Sequence, residues 1–303
     1  MKKKRKVSKR VGKQYYYWLM IAPCLIFLFI FSYYPMSGIL MAFQDFKLAK
    51  GIWGSEWVGL YHFKVLFSSD IIWRILRNTV VLALGKCFIT MFMGIAFAIL
   101  LNEIRIKWLK KSVQTLVYLP HFLSWVILAG VVGNLFRVSG VVNGILTSLG
   151  FEAVNFLGNA ANFQPLVIGS HVWKEFGYAS IVYLAAITSV DPNLHEAAAI
   201  DGATWSRRVW HVTLPAMVPM ILLMTAMNLS SILSAGFDQI YNLYSSAVYE
   251  TGDILDTYIY RATLQGKRYS FGTAVGLLKS VVGMILMLGT NWFSVKFAKR
   301  SIF

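Results

Sequence analysis

An uncharged stretch from Tyr15 to Phe43 restricts the fold of this chain more than any other feature. It exceeds the ~20 apolar residues that a helix needs to cross a bilayer. Five further apolar segments follow, so the predicted spans are residues 17–41, 79–101, 112–136, 167–188, 216–237 and 271–295. Backbone groups in lipid are satisfied only in helices or closed barrels, and these segments lack the alternation of barrel strands. The predicted fold class is an all-α integral membrane protein with six transmembrane helices.

The composition agrees with a single membrane domain. The chain is 57% hydrophobic and only 14% charged, whereas soluble domains contain about 25% charged residues. Its two cysteines, Cys24 and Cys87, both lie in apolar runs. They cannot form a disulfide framework or a zinc-binding spacing, so we expect packing roles for them and no metal site.

The distribution of Lys and Arg predicts the orientation. Placing both termini inside gives the inner segments about twice as many cations as the outer ones, as the positive-inside rule requires. The basic run at residues 2–6 directly precedes the first span, so we interpret it as an orientation signal and predict no nucleic-acid partner. The first span is too long for a signal peptide and lacks a cleavage pattern. The predicted organisation is a cytoplasmic N-terminus (1–16), a membrane domain (17–295) and a cytoplasmic tail (296–303) in a plasma membrane.

Two weaker patterns concern packing. Apolar residues between 60 and 76 recur at helical spacing, which fits either an interfacial helix or a helix that caps the bundle. In the last span Gly272, Gly276 and Ser280 share one helix face. Small residues at this spacing allow two helices to approach closely.

The inner segment 191–215 carries the most specific pattern. Asp191 can cap a short helix that begins at Pro192, and Gly202 permits the sharp turn that ends it. A second helical piece is predicted from Thr204 to about His211, before Pro215 leads into the fifth span. Such a small-sided element with aromatic anchors is suited to a groove on a cytoplasmic partner.

This segment resembles the EAA motif of binding-protein-dependent ABC importer permeases. The resemblance rests on Glu196-Ala197-Ala198, then Gly202 after three residues, then residues 212–215 after nine more. Val212 stands where the family usually has isoleucine. Further matches are residues 58–60, 78–79 and 173–177, and the flanking sequence is similar to the carbohydrate-uptake type, within it the LplB-like oligosaccharide permeases. The similarity runs from about residue 15 to the C-terminus.

The resemblance implies the type I ABC importer permease fold in a bacterial cell membrane. It also implies a second homologous permease, two cytoplasmic ATPase subunits, an extracellular sugar-binding protein and an oligosaccharide substrate. The family's coupling role carries over to Glu196, Ala197, Ala198, Asp201, Gly202, Trp205, Leu214 and Pro215. No phosphate-binding loop of the G-x-x-x-x-G-K-[ST] type occurs, so ATP and Mg²⁺ are expected on the partner ATPase and no cofactor on this chain.

Four ionisable residues lie within or near the spans: Lys86, Lys174, Glu175 and Lys279. Charges at that depth are costly and are functional candidates by default. Adjacent residues diverge on a helix, so Lys174 and Glu175 are expected to need separate partners, with one of them facing the substrate pathway or both snorkelling to the headgroups. Lys86 and Lys279 are expected to be structural. Aromatic candidates for sugar stacking are Phe122, Trp125, Trp173, Tyr178 and Tyr183.

The same residues bear on three competing functions. An ion-coupled secondary transporter or a channel would work without ATPase partners, but the former should show relay carboxylates at the midplane, and only Glu175 is available. A membrane enzyme is disfavoured because no catalytic constellation is present. A polysaccharide exporter permease would lack the EAA spacing. An ATP-driven oligosaccharide import subunit without catalytic residues is therefore the predicted function.

Overall fold

Helices form almost all of the chain in the computed structural model. It describes residues 4–230 and 232–298, with the side chains of all but residues 4–14, 230, 290 and 293–298. The predicted basic N-terminus and tail therefore fall partly outside the described residues, at positions 1–3 and 299–303. The chain divides into two units, residues 1–66 with 262–277 and residues 67–261 with 278–303.

The first unit begins with one long helical run. Helix α1 (Lys4–Leu28) continues through a π turn (Phe29–Tyr33) into a 3₁₀ segment (Tyr34–Phe43). A short antiparallel pair follows, β1 (Gln44–Asp45) with β2 (Glu56–Trp57), joined through α2 (Gly51–Gly54). Phe43 stacks on Trp57 at 5.7 Å and packs on Phe63 of α3 (Tyr61–Phe67). These aromatic contacts fix the end of the first predicted span to the hairpin.

The second unit contains the remaining helices up to residue 260, apart from the shared α15 (Tyr269–Ala298). Their bounds are α4 (Asp70–Glu103), α5 (Lys107–Tyr118), a 3₁₀ turn (Leu119–Phe122), α6 (Trp125–Phe136), α7 (Val141–Ser148), α8 (Ala160–Thr188), α9 (Pro192–Ile200), α10 (Trp205–Arg208), a π turn (Val209–Thr213), α11 (Leu214–Ser230), α12 (Phe237–Leu243), a 3₁₀ turn (Ser246–Val248), α13 (Tyr249–Gly252) and α14 (Leu255–Tyr260). A π turn (Arg261–Gln265) precedes α15.

Helices α4 and α8 form the most extensive pair in this unit. Glycines allow the close approach, because a Cβ at Gly85 would lie 2.6 Å from the Ile168 side chain. One core cluster joins α4, α6 and α8 to α12 through buried residues such as Leu82, Val132 and Phe163. A second cluster packs Ala98 of α4 against Tyr183 of α8 and Met217 of α11. Aliphatic burial on this scale contributes about 25 cal/mol per Å² of apolar surface where the alternative is water.

Polar side chains of α4 hold the outer segment that follows α12. Asn78 donates to the carbonyl of Glu250 at 2.9 Å, and Thr79 accepts from the Leu255 amide at 3.0 Å. Arg261 pairs with the carboxylate of Asp253 at 2.5 Å. Burial lowers the pKa of Arg261, but the hydrogen bond to Asp253 outweighs burial and raises it overall. The Asn-Thr pair, which contributes to the family resemblance, is thus a structural tether.

Within the described residues, five helical segments are long and apolar enough to cross a membrane. They are Tyr15–Phe43, Asp70–Glu103, Trp125–Ser148, Trp205–Leu229 and Tyr269–Gly289. The predicted fourth span, 167–188, lies within the 29 residues of α8 but is not among the five. At 1.5 Å per residue α8 can still span a bilayer of about 30 Å. Its polar residues face protein, since α8 buries Ser170, Lys174 and Ser180.

The structure corrects two of the predicted spans and one predicted amphipathic helix. Segment 112–136 is not one helix, because Pro120 stands in a 3₁₀ turn and α6 begins anew after Ser124, whose hydroxyl caps the Ile127 amide. The fifth span ends at Ser230 instead of 237, and α12 follows the left-handed Gly236. The amphipathic stretch 60–76 is also interrupted, since α3 ends at Phe67 and α4 starts at Asp70.

Of the two glycines on the predicted small-residue face of α15, one is closely packed. A Cβ at Gly272 would lie 1.7 Å from the Thr263 hydroxyl oxygen, whereas a Cβ at Gly276 would meet nothing within 4 Å. Thr263 is short and β-branched, so it has little freedom to move aside. Gly272 therefore meets a steric requirement that Gly276 does not.

We predict that Gly272→Ala destabilises the protein by about 1–3 kcal/mol through overpacking. Gly276→Ala is the matched control, and it should be neutral or slightly stabilising because alanine favours helix. The two variants should therefore differ in Tm when unfolding is followed in detergent micelles. Equal melting temperatures would contradict the packing assigned to Gly272.

Candidate functional site: the 191–215 loop and the polar cavity

The loop between α8 and α11 is built from local capping interactions. The Asp191 side chain accepts from the Asn193 amide at 3.0 Å, and Pro192 opens α9, as the sequence predicts. Gly202 has a φ of +75°. Around it the Ala203 amide bonds the Ala198 carbonyl at 2.9 Å, which forms a Schellman-type end to the helix. The second helical piece is α10, and its continuation through the π turn leads directly into α11.

The surface of this loop exposes large apolar side chains. Ile200 is 87% exposed, Trp210 68% and Leu194 54%. Glu196 and Asp201 are exposed as well, and neither carboxylate forms an ion pair within the described residues. Among the other predicted loop residues, Ala197, Trp205 and Pro215 are exposed, while Ala198 and Leu214 are half-buried. Apolar groups displayed in this way, with carboxylates among them, are typical of an interaction surface.

A hydrogen-bonded network joins α8 to the break in the third span. The Lys174 ammonium donates to the His121 carbonyl at 2.7 Å and to Glu175 Oε1 at 2.9 Å. The other oxygen of Glu175 lies 2.7 Å from His121 Nδ1. Tyr178 stacks its ring on the His121 imidazole at 3.8 Å, nearly parallel. The network therefore satisfies the broken backbone near Pro120 with side chains from the neighbouring helix.

This geometry corrects the expectation that Lys174 and Glu175 need separate partners. Although adjacent side chains diverge on a helix, the long lysine stem bends back to the carboxylate beside it. Both residues then share His121. A close approach of the backbones makes this possible, since a Cβ at Gly177 would lie 2.5 Å from the Val117 carbonyl of α5.

A polar cavity of about 320 Å³ lies between α4, α8 and α11. That volume is within the range of small-molecule sites, ~300–1,000 Å³. Its walls combine aromatic, ionisable and amide groups, namely Lys86, Cys87, Thr90, Met91, His171, Glu175, Tyr178, Ala179, Val182, Tyr183, Met224 and Asn228. Hydroxyl-rich ligands need this mixture, because their hydrogen-bonding groups and their ring faces both require partners.

The predicted pathway residues divide between different surroundings. Three of them, Glu175, Tyr178 and Tyr183, line the polar cavity. Trp125 stacks on His171 at 6.4 Å, and the Lys174 ammonium lies 5.8 Å from the Trp125 ring centroid. Trp173 lines a separate apolar cavity of about 490 Å³ between α6 and α8. Phe122 is 74% exposed.

Sequence reasoning missed His121, His171 and Asn228. His171 precedes Glu175 by four residues on α8, so helical spacing offered a signal that places both on one face. His121 lies in the broken part of the third span and carried no such signal. Lys279 pairs with Asp256 at 2.5 Å. That contact agrees with the structural role expected for Lys279.

Comparison with known proteins gives consistent matches over the whole chain. Residues 90–301 match the family model described as the binding-protein-dependent transport system inner membrane component. The polygalacturonan/rhamnogalacturonan transport permease YteP of Bacillus subtilis is 43% identical, with 100% of this chain and 94% of the relative covered. Protein LplB of the same organism is 40% identical over 94% of this chain and 90% of the relative.

A solved structure shows the same fold. The crystal structure of a bacterial alginate ABC transporter, in complex with an alginate pentasaccharide-bound periplasmic protein, superposes with a TM-score of 0.88 and 40% identity. The match covers 97% of this chain and 98% of the other. Fold and matches together define a membrane-embedded permease subunit of a bacterial ABC importer. The chain belongs to the binding-protein-dependent transport system inner membrane component family.

Membership of this family confirms several expectations from the sequence. The all-α membrane fold is that of a type I importer permease. The protein is a transport subunit and not an enzyme, since ATP hydrolysis in ABC importers takes place on separate ATPase subunits.

We predict that Lys174 and Glu175 contribute to stability as one unit. The side chains are only 8% and 23% exposed, and breaking a buried pair by removing one partner costs about 3–5 kcal/mol. Lys174→Met should therefore lower the Tm in detergent, but by less than the loss of a fully buried pair would, because Glu175 keeps some contact with solvent. The double variant with Glu175→Leu should lose less than the sum of the single variants, by about 1 kcal/mol or more. Additive effects would show that the pair is not coupled.

Proposed function

We propose that this chain forms one half of the translocation pathway of an ATP-driven oligosaccharide importer. A second, homologous permease supplies the other half, and an extracellular sugar-binding protein delivers the substrate. Support comes from the relatives, since YteP is named for polygalacturonan and rhamnogalacturonan transport and the alginate transporter was solved with a loaded periplasmic protein. Both cover nearly the whole chain at 40% identity or more.

The coupling part of the proposal rests on the 191–215 loop. Its exposed side chains Leu194, Ile200 and Trp210 provide the bulky anchors that bind a groove on a partner. The alanines at 197–199 keep one side of α9 small, which permits close approach of the two backbones. The loop continues into α11 through α10 and the π turn, and only residues 189–191 separate α9 from α8, so a displacement of the loop would act on both helices. We assign the docked partner as a cytoplasmic ATPase subunit that binds ATP and Mg²⁺.

The substrate part of the proposal rests on the polar cavity. Glu175 and Asn228 place a carboxylate and an amide in its wall, and Tyr178 adds a half-exposed ring. Sugars bind through hydrogen bonds to hydroxyl groups and through stacking on aromatic faces. The cavity is bounded by α8 and α11, the two helices that the loop connects. ATP-driven movement of the loop would therefore change the walls of this cavity.

The experiment that tests coupling replaces Gly202 with Asp. We expect oligosaccharide uptake to fall about tenfold or more, because the change alters the turn and adds a charge to the docking surface, where loss of a hot spot costs ~2 kcal/mol. Membrane insertion should be unaffected, since the residue lies outside the spans. Uptake into proteoliposomes that contain the whole complex is the measurement, together with co-purification of the ATPase.

Gly150→Asp is the matched control. Gly150 also has a positive φ, +86°, and a Cβ there would meet nothing within 4 Å, as at Gly202. The positive φ makes the backbone strain of the two substitutions similar. Because Gly150 lies in a predicted outer segment, no ATPase contact is involved. If both variants transport normally, or if the chain never co-purifies with an ATPase, the coupling proposal is wrong.

A further inference from the structure

Lys86 is one of the residues that line the polar cavity. It lies near the middle of α4, is only 4% exposed, and lines the cavity with His171, Glu175 and Asn228. Its ammonium donates to the Ala235 carbonyl at 2.6 Å. This carbonyl belongs to the break between α11 and α12, where a Cβ on Gly236 would lie 3.1 Å from the Lys86 nitrogen. The ammonium is thus held in place by a neutral acceptor.

The positive charge of Lys86 has no negative counterpart among the residues that the structure describes. Glu175 is the carboxylate in the cavity wall, and its two oxygens already contact Lys174 at 2.9 Å and His121 at 2.7 Å. Asp256, another carboxylate near this depth, pairs with Lys279 and not with Lys86. An ammonium has three N–H donors, and Ala235 accepts from one of them. Two donors therefore remain, which a ligand can use without loss of the bond to Ala235.

The Lys86 ammonium has a neutral partner, the Ala235 carbonyl, but no anionic one among the described residues. Ionisable residues within membrane spans are costly and pair with one another, with backbone carbonyls or with a transported ligand. Because Glu175 is paired with Lys174 and His121, Lys86 is the lysine of this wall that has no anionic partner among the described residues. In surroundings of low polarity, the attraction between the Lys86 charge and an anion is stronger than it would be in water. A neutral sugar would not use this charge, whereas a sugar acid would.

We infer that Lys86 binds a carboxylate of the substrate and makes this permease selective for acidic, uronate-containing oligosaccharides. The inference rests on the proposed oligosaccharide import function and narrows its substrate class. The comparisons agree with it, since polygalacturonan and alginate are both polymers of sugar acids. Lys86 also keeps its bond to the break after α11, so the residue that recognises the acid supports the cavity wall.

The test measures binding to the purified importer complex in detergent, without the sugar-binding protein. The probes are trigalacturonic acid and its fully methyl-esterified form, which has the same length but no charge. The wild-type complex should bind the acid more tightly than the ester by about tenfold or more, the effect of one partly desolvated charge pair. Lys86→Gln should bring this ratio close to one, since glutamine retains a hydrogen-bond donor but no charge. Lys86→Arg should retain the preference.

Lys279→Gln is the control for removing a lysine at membrane depth, because Lys279 pairs with Asp256 and does not line the cavity. It should leave the acid-to-ester ratio unchanged. A purely structural Lys86 would lower binding of both probes equally in Lys86→Gln and leave the ratio intact, which overturns the inference. A wild-type complex that binds or imports only neutral oligosaccharides would overturn it as well, while the proposed import function would stand. An importer that takes up no oligosaccharide at all would instead refute the proposed function.

Discussion

Backbone groups in hydrocarbon must find partners within the protein, and this constraint shapes the second unit. Two predicted spans are interrupted at membrane depth, near Pro120 and before Gly236. In each case a buried lysine from a neighbouring helix donates to a carbonyl of the break, Lys174 to His121 and Lys86 to Ala235. Gln239 adds a further bond from α12 to the Val167 carbonyl at 2.7 Å. The irregular backbone is therefore stable only because α4 and α8 carry polar side chains.

The same side chains give the cavity its chemical character. Groups that satisfy the breaks also line or border the space between α4, α8 and α11, so structural support and ligand recognition share residues. This arrangement explains why α8 carries polar side chains within the predicted span 167–188. Its polar side chains serve protein contacts instead of facing lipid. Helices α8 and α11 then lead directly into the exposed loop, which connects the cavity to the proposed ATPase contact.

Local sequence signals predicted the loop in detail. The Asp191 cap, Pro192 at the first turn and the left-handed Gly202 each depend on neighbouring residues only, so a single sequence is sufficient to find them. The long apolar runs likewise located the spans, because hydropathy does not depend on tertiary structure. The fixed spacing from Glu196 to Pro215 added a family resemblance that the comparisons confirm.

Tertiary contacts account for what the sequence did not predict. The pairing of Lys174 with Glu175 depends on His121, which is more than 50 positions away, and helix geometry alone suggested that the two side chains diverge. The break after α11 is held by Lys86 of α4, a long-range contact that residues 216–237 alone do not reveal. The sequence predicted a structural role for Lys86. Its lack of an anionic partner becomes apparent only when the cavity and the pairing of Glu175 are known.

The central claim is that residues 191–215 lie on the cytoplasmic side against an ATPase subunit. The most direct test is a single cysteine at position 200, where the side chain is 87% exposed, in a chain whose Cys24 and Cys87 are replaced by serine. A membrane-impermeant maleimide should label Ile200→Cys in inside-out vesicles but not in right-side-out ones. Bound ATPase should protect the residue from labelling. Labelling from the outer side, or labelling that the ATPase leaves unchanged, would contradict this account of how the permease is driven.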